Sequence, residues 1–381
     1  MTPILTTPFL SVRDVRFARG RYALMGAVVA LICLLLVFLT GLTNGLAHQN
    51  ISAVTAWKGA AEPDQQVSVA FGAPHAESPE DVETSFTSSQ TTADQLQAWT
   101  DSPETAWAEP VGLSQSRADS GTSAAAVALV ATEPDSRLLP AGADLPDDGL
   151  TGLLVSAPAA QDLGVAAGDA LTVNGRELTV QGVVAGEFYS HTPVVWLPLE
   201  QWRTATHAEE GTATVIVAGA PADADPAGAL SDLGQDTVTA VTDVDGALSA
   251  LPAYSSENGS LVMMQGFLYG ISALVIAAFM AVFTVQRTRD IAVLKALGAT
   301  NRWVITDGLL QAGIVLTAGA LVGTALGTGG ALLAERAVPV QVDGVTAALP
   351  FGLTVVLGMV AAALAVWRTT RVDPLLALGG S

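Results

Sequence analysis

The sequence predicts a membrane protein with four transmembrane α-helices, arranged one and three, and a large extracytoplasmic α+β domain between helices 1 and 2. Three observations predict it. Apolar runs occupy residues 22–46, 261–286, 309–334 and 349–367, each close to or beyond the roughly 20 residues a helix needs to cross about 30 Å of hydrocarbon. Basic residues gather beside these runs and avoid the long insert, residues 47–260. The insert itself reads as short strands and helices separated by polar loops. Hydrocarbon offers a backbone no hydrogen-bond partner, so single runs of this kind cross it only as helices.

Residues 1–21 open the chain as a cytoplasmic interfacial segment. Phe9, Leu10, Val12, Val15 and Phe17 interleave with Arg13, Arg16, Arg19 and Arg21, a pattern that suits a helix lying at the lipid headgroups. It equally suits a plain basic flank that fixes topology. The first run, 22–46, is too long for a cleaved leader, and it holds the chain's one cysteine, Cys33. An intramolecular disulfide is therefore excluded. Of the 16 Lys and Arg, ten lie before the first run, between the second and third, and after the fourth. Basic flanks stay cytoplasmic. Both termini, the loop 287–308 and the tail 368–381 are thus expected inside, and the insert and the short loop 335–348 outside, in a multi-pass protein of the cell membrane.

The insert carries 30 of the 36 Asp and Glu against five basic residues. Such a surface repels nucleic acid and anionic headgroups. Strands are expected at Val67–Phe71, Ala126–Ala131, Gly152–Ser156, Ala170–Val173, Glu177–Val184, Pro193–Leu197, Thr212–Ala218 and Asp236–Val241. Asn174-Gly175-Arg176 marks a tight hairpin between two of them. Short helices are expected at Thr91–Trp99, Ala157–Leu163, Leu199–Ala205 and Val244–Ala250, several behind Ser, Thr or Asp caps. Residues 72–90 and 131–149 read as exposed loops, and 218–228 as a linker between two lobes.

Glycines recur every four residues in three of the runs: Gly41 and Gly45, then Gly266 and Gly270, then Gly319, Gly323 and Gly327. Stripes of this kind let helix backbones approach closely. The first two sets share an outer depth, so they serve ordinary helix packing, a dimer seam or a slot for a flat apolar ligand. No GxxxxGK[ST] phosphate loop, HExxH or CxxC occurs, nor a convincing Ser/His/Asp set, so no catalytic residue, metal site or intrinsic cofactor is assigned. His48, His75, His191 and His207 stand at no ligand spacing.

The loop 287–308 contains Arg287-Thr-Arg289-Asp290-Ile291-Ala-Val-Leu294-Lys295-Ala-Leu297-Gly298. Ile291, Leu294 and Leu297 share one helical face and Gly298 supplies the stop. A partner groove would cover that apolar stripe, as would a lipid surface.

This stretch resembles the hallmark of FtsX-like (MacB-type) ABC transporter permeases, R-x-x-E-I-A-x-L-K-A-L-G-A, with Asp290 in place of Glu. Arg371-Val-Asp373-Pro374 resembles that family's closing R-x-D-P, and the one-plus-three topology matches. The resemblance covers residues 10–50 and 255–378. It implies a homodimeric permease working with two copies of a separate cytoplasmic ATPase, which binds the ATP. Arg289–Gly298 would be the coupling helix that docks there.

Three further stretches resemble the haem-efflux (Hrt-type) branch: Arg19-Gly20-Arg21-Tyr22-Ala-Leu-Met-Gly26, Tyr189-Ser-His191-Thr-Pro-Val-Val, and Tyr254-Ser-Ser-Glu257. That branch implies haem as the transported substrate. Tyr, His and Met all ligate haem iron. Tyr254, Glu257, Met263, Met264 and Tyr269 are the candidate ligands, with Phe267 to stack on the porphyrin and Tyr189 and His191 as outlying candidates. Tyr at an interface and Met as core filler are the plain alternatives. Two other functions fit the same architecture: export of a lipid-like molecule, antibiotic or peptide, and FtsX-type transmission of a signal to a cell-wall hydrolase.

Overall fold

The computed structural model describes residues 19–143, 145–221, 229–286, 300–335 and 337–369. They fall into two compact units, Leu46–Asn258 and the combination of Met1–Gly45 with Gly259–Ser381. The coupling stretch Arg289–Gly298, the segment before Arg19 and the Arg371–Pro374 motif lie outside the described residues.

Four long helices carry the membrane spans: α1 Arg19–Ala56, α7 Pro252–Gln286, α8 Asn301–Ala334 and α9 Gly344–Thr369. All four are long and apolar enough to cross a bilayer. Three extend well beyond the apolar runs, for local reasons. The segment after Leu46 contains no Pro or Gly before Gly59, so α1 continues, and it buries Asn50, Ala53 and Val54. Pro252 opens α7 at the first helical position, where its missing N–H costs nothing. Thr300 caps α8 by accepting the Trp303 amide at 3.3 Å. At the start of α9 the Asp343 carboxylate accepts both the amide and the hydroxyl of Thr346 at 2.6 Å, which holds its pKa below the usual carboxylate range.

Within this unit α1 presents Tyr22, Met25, Val29, Cys33 and Val37 to a shared core. The spacing is three and four residues, one helical face. Opposite lie Ala312, Val315, Leu316 and Ala320 of α8, Ala361, Ala362 and Val366 of α9, and Ile276 of α7. Gly319, Gly323 and Gly327 of α8 face the α1 backbone at Gly26, Ala30 and Leu34. One glycine per turn of one helix thus meets one carbonyl per turn of the other.

The insert is built on β1 Gln65–Gly72, β2 Trp107–Asp119, β3 Ala124–Thr132, β4 Leu153–Ser156, β5 Ala170–Val173, β6 Arg176–Val184, β7 Phe188–Tyr189, β8 Thr192–Pro198, β9 Val215–Pro221 and β10 Thr239–Asp243. The main path runs β10-β1-β9-β2-β3-β8-β4-β6-β5, and β5 pairs back onto β2 through Ala118–Val173 and Asp119–Thr172. Six strands, β2, β3, β8, β4, β6 and β5, therefore close on themselves, while β9, β1 and β10 extend from β2. The β3–β8 and β4–β6 pairs are parallel. Short helices complete the α+β domain: α2 Ala93–Asp101, α3 Ala157–Leu163, α4 Leu199–Thr206, α5 Ala229–Thr237 and α6 Val244–Ala247.

The central strands are buried on both faces, which is why they read as unbroken apolar runs. Val127, Leu129 and Ala131 of β3 enter one core with Val195 and Leu197 of β8. Ala128, Val130, Val194 and Trp196 enter the other, with Trp57, Phe71 and Phe86. The Asn174-Gly175 turn has positive φ at both residues, 49° and 77°, and joins β5 to β6 as its sequence predicts. Thr92 and Gln95 form a reciprocal capping box at α2, where the Thr92 amide donates to Gln95 Oε1 at 3.0 Å.

Three sequence expectations need correction. Residues 218–221 end strand β9 and are no part of a linker, while 222–228 lie outside the described residues. Residues 236–237 end helix α5, so β10 starts only at Thr239. Strand β2 and helix α5 were not expected: β2 contains Pro110 and the polar run Ser114-Gln115-Ser116-Arg117, which hide its pairing.

Candidate functional site

Helix α7 is the most exposed of the four spans. Only 11% of its most apolar window is buried, against 33–39% in the others. Met263, Gly266, Phe267, Gly270 and Leu274 recur at helical spacing and so share one face. Met263 is 63% exposed, Met264 50%, Phe267 66% and Leu274 70%. Among the described residues, a Cβ placed on Gly266 or Gly270 would meet nothing within 4 Å. The face is apolar and edged with two thioethers, and its backbone lies bare for two turns.

The opposite face is occupied. Gln265 donates to Thr43 Oγ1 at 3.0 Å, and Ser272 and Ile276 are buried. The Tyr269 hydroxyl is buried without a hydrogen-bond partner among the described residues. Tyr254 stands a near-integral number of turns before Leu261 and Gln265, and it packs against the main core of the insert.

The sequence-predicted ligand residues divide between the two units: Tyr189, His191, Tyr254 and Glu257 belong to the insert, Met263, Met264, Phe267 and Tyr269 to the membrane unit. Met263, Met264 and Phe267 lie on the open face, and Tyr269 on the occupied one. Glu257 is paired with His191, whose Nε2 lies 2.9 Å from its Oε2. Tyr189 is a core residue, 5% exposed, and burial raises its phenol pKa far above the ordinary value.

The glycine stripes also divide. Gly41 lies against Val340 and Val342, and Gly45 against the Pro339 carbonyl. The Gln341 amide donates to Gly41 O at 3.0 Å. The chain's own loop between α8 and α9 thus lies along the Gly41–Gly45 stretch of α1. Only the Gly266/Gly270 pair is open.

A second cluster lies where the insert joins its two helical stems, the end of α1 and the start of α7. The β7–β8 hairpin turns through Ser190 and His191, both at positive φ, 49° and 62°. This conformation is unusual for residues other than glycine. It is held from outside: the Ser190 amide donates to Asn50 O at 2.9 Å and the His191 amide to Gln49 O at 2.8 Å. Ser52 Oγ accepts the Phe188 amide at 2.8 Å, and the His48 ring meets Phe188 edge-on at 6.0 Å. Glu187, at the head of the hairpin, is desolvated, and its carboxyl is pushed up to about 7.

Sequence reasoning missed Asn50 and Ser52, and also a polar chain inside the membrane unit. Tyr22 donates to Gln311 Oε1 at 2.6 Å, and Gln311 Nε2 donates to Asp307 Oδ2 at 2.8 Å. An ionisable residue inside a spanning helix was the available signal; it went unread because the apolar run starts after Asp307. Among the described residues no group of three or more His, Cys, Asp or Glu could hold a metal ion.

Comparison with known proteins adds two matches to family models: an FtsX-like permease C-terminal model over residues 262–374 and a MacB-like periplasmic core domain model over residues 24–235. A Staphylococcus epidermidis protein named "Putative hemin transport system permease protein HrtB" is 27% identical over 218 residues, 56% of this chain and 59% of that protein. A macrolide export ATP-binding/permease protein, MacB of Azoarcus sp., is 30% identical over 135 residues, 34% of this chain and 21% of the relative. The crystal structure of the periplasmic region of MacB from Actinobacillus actinomycetemcomitans aligns with 53% of this chain and 95% of that chain, at 12% identity and a TM-score of 0.36. The chain spans 59% of the length of the hemin-transport relative and less of the macrolide exporter.

Proposed function

Because the chain belongs to the FtsX-like permeases with a MacB-like periplasmic core domain, we propose that it is the membrane subunit of an ATP-driven exporter and that its cargo is haem. The open face of α7 carries this reading. A flat, largely apolar molecule needs a flat apolar surface with nothing projecting from it. Gly266 and Gly270 supply the bare backbone, Phe267 a ring to stack on, and Met263 and Met264 soft sulfur for iron. Tyr254 serves the insert's core in this account and is not the axial ligand. The hemin-transport relative supports the choice of cargo.

The proposal includes a second copy of the permease and two copies of a separate ATPase, since no phosphate loop occurs in this sequence. Arg289–Gly298 would dock on that ATPase. Nucleotide binding there would bias the spans between two packings and expel cargo outward. The permease itself would make and break no covalent bond.

Pull-down on the tagged full-length chain from its own membrane tests the class. The reading expects an ABC ATPase to co-purify. A cell-wall hydrolase held through the insert, with no haem bound by the permease, would favour the signal transmitter and overturn the export reading.

A further inference from the structure

We propose that His191 is a proton-operated clasp between the two stems, holding the start of α7 to the end of α1 when its ring is charged and weakening that hold when it is neutral. The inference rests on contacts inside the insert and stands whatever the cargo.

His191 Nε2 has two neighbours on two different helices: Glu257 Oε2 at 2.9 Å and Asn50 Nδ2 at 3.2 Å. One ring nitrogen cannot satisfy both at once. Toward the carboxylate it must donate; toward an amide N–H it must accept. Asn50 Oδ1 is buried with no hydrogen-bond partner among the described residues. Turning the amide over removes the conflict at the ring, because Oδ1 then faces it and accepts from the same N–H. Amide and ring states are thereby linked. The charged ring donates to Glu257 and to Asn50 Oδ1. Loss of the charge ends the ion pair: a neutral ring protonated on Nε2 keeps only a hydrogen bond to Glu257, and one protonated on Nδ1 accepts from Asn50 Nδ2 while its lone pair repels Glu257.

The surroundings fit a device of this kind. The hairpin backbone is fixed on α1 through Gln49, Asn50 and Ser52, so the ring has one stationary side. Glu257 is 45% exposed and free to leave, and the His191 side chain is 32% exposed and open to protons. The other titratable groups on these elements within the insert are His48 on α1, which meets Phe188 edge-on, Tyr254 on α7, and Glu187 and Tyr189 on the hairpin. Glu187 loses its proton over the same pH range, so it is the competing explanation that a test must separate.

Hydrogen exchange of the full-length protein in nanodiscs separates them. Protection of the amides of residues 255–260, corrected for intrinsic rates, is compared at pH 5.5 and 8.5, where an imidazole changes charge. For a partly exposed ion pair the expected loss of protection at the higher pH is about two- to fivefold. His191→Asn, which tolerates the left-handed backbone, and Glu257→Gln should both be flat with pH and low throughout, while Glu187→Gln should keep the wild-type dependence. A flat wild type, or a pH dependence that survives His191→Asn or disappears in Glu187→Gln, would overturn the clasp.

Discussion

His191 and Glu257 hold each other, Nε2 to Oε2, across 2.9 Å. Both residues are candidate haem contacts, yet each already has its partner inside the insert. This pairing occupies both side chains within the insert. It predicts that His191→Ala leaves haem binding unchanged. Haem absorption of the purified variant checks this; a lost or shifted Soret band would return His191 to the ligand set.

The glycines give a sharper contrast. Gly323 of α8 lies against the Ala30 carbonyl of α1, so Gly323→Leu must push two helices apart. A cost of about 1–3 kcal/mol or more is expected for such overpacking, read as poor yield and a lower melting temperature. Gly266→Leu meets open space and should fold as well as wild type, yet lose haem. Equal behaviour of the two variants would remove the distinction between packing glycines and binding glycines.

Glu187 predicts a pH dependence of stability. Its folded pKa is raised to about 7 from 4.5, so its contribution is greatest below the unfolded value and is lost as pH rises through about 7. Glu187→Gln should therefore flatten the stability profile between about pH 4.5 and 7 and raise stability at pH 8 by about 1 kcal/mol after allowance for its partial exposure. Thermal unfolding of the full chain at several pH values measures this. A variant no more stable than wild type at pH 8 would contradict it.

The proposed coupling stretch carries its own test. Leu294→Asp should weaken ATPase docking by roughly 2–5 kcal/mol, as a charge left unpaired at an apolar contact does, while membrane insertion stays normal. Pull-down against the co-purifying ATPase reads the effect. Undiminished capture would place docking elsewhere.

Some of this was legible in the chain and some was not, for physical reasons. The spans follow from composition alone, because hydrocarbon leaves a backbone one choice. The β3 and β8 strands announce themselves through burial on both faces, and Asn174-Gly175 through the backbone that only such residues adopt easily. Strand β2 escaped because Pro110 and the polar run Ser114–Arg117 break the apolar pattern, while its pairing partner Ala126–Leu129 of β3 lies elsewhere in the chain. The spacing of α7 could have shown that Tyr254 and Phe267 point to different sides. The clasp could not be read: its three residues lie 141 and 66 positions apart, and proximity in sequence says nothing of them. Nor could Gly41 and Gly45 be told from Gly266 and Gly270, since the loop that fills the first pair comes from Pro339–Val342.

The account stands or falls on the open face of α7 as a haem surface. Haem titration of the purified full-length permease in nanodiscs, followed at the Soret band, tests it most directly. The predicted result is a saturable spectral shift in wild type and in Tyr254→Phe, reduced in Met263→Ala/Met264→Ala and absent in a well-folded Gly266→Leu. A wild type that gives no shift, or a Gly266→Leu variant that titrates like wild type, would contradict it.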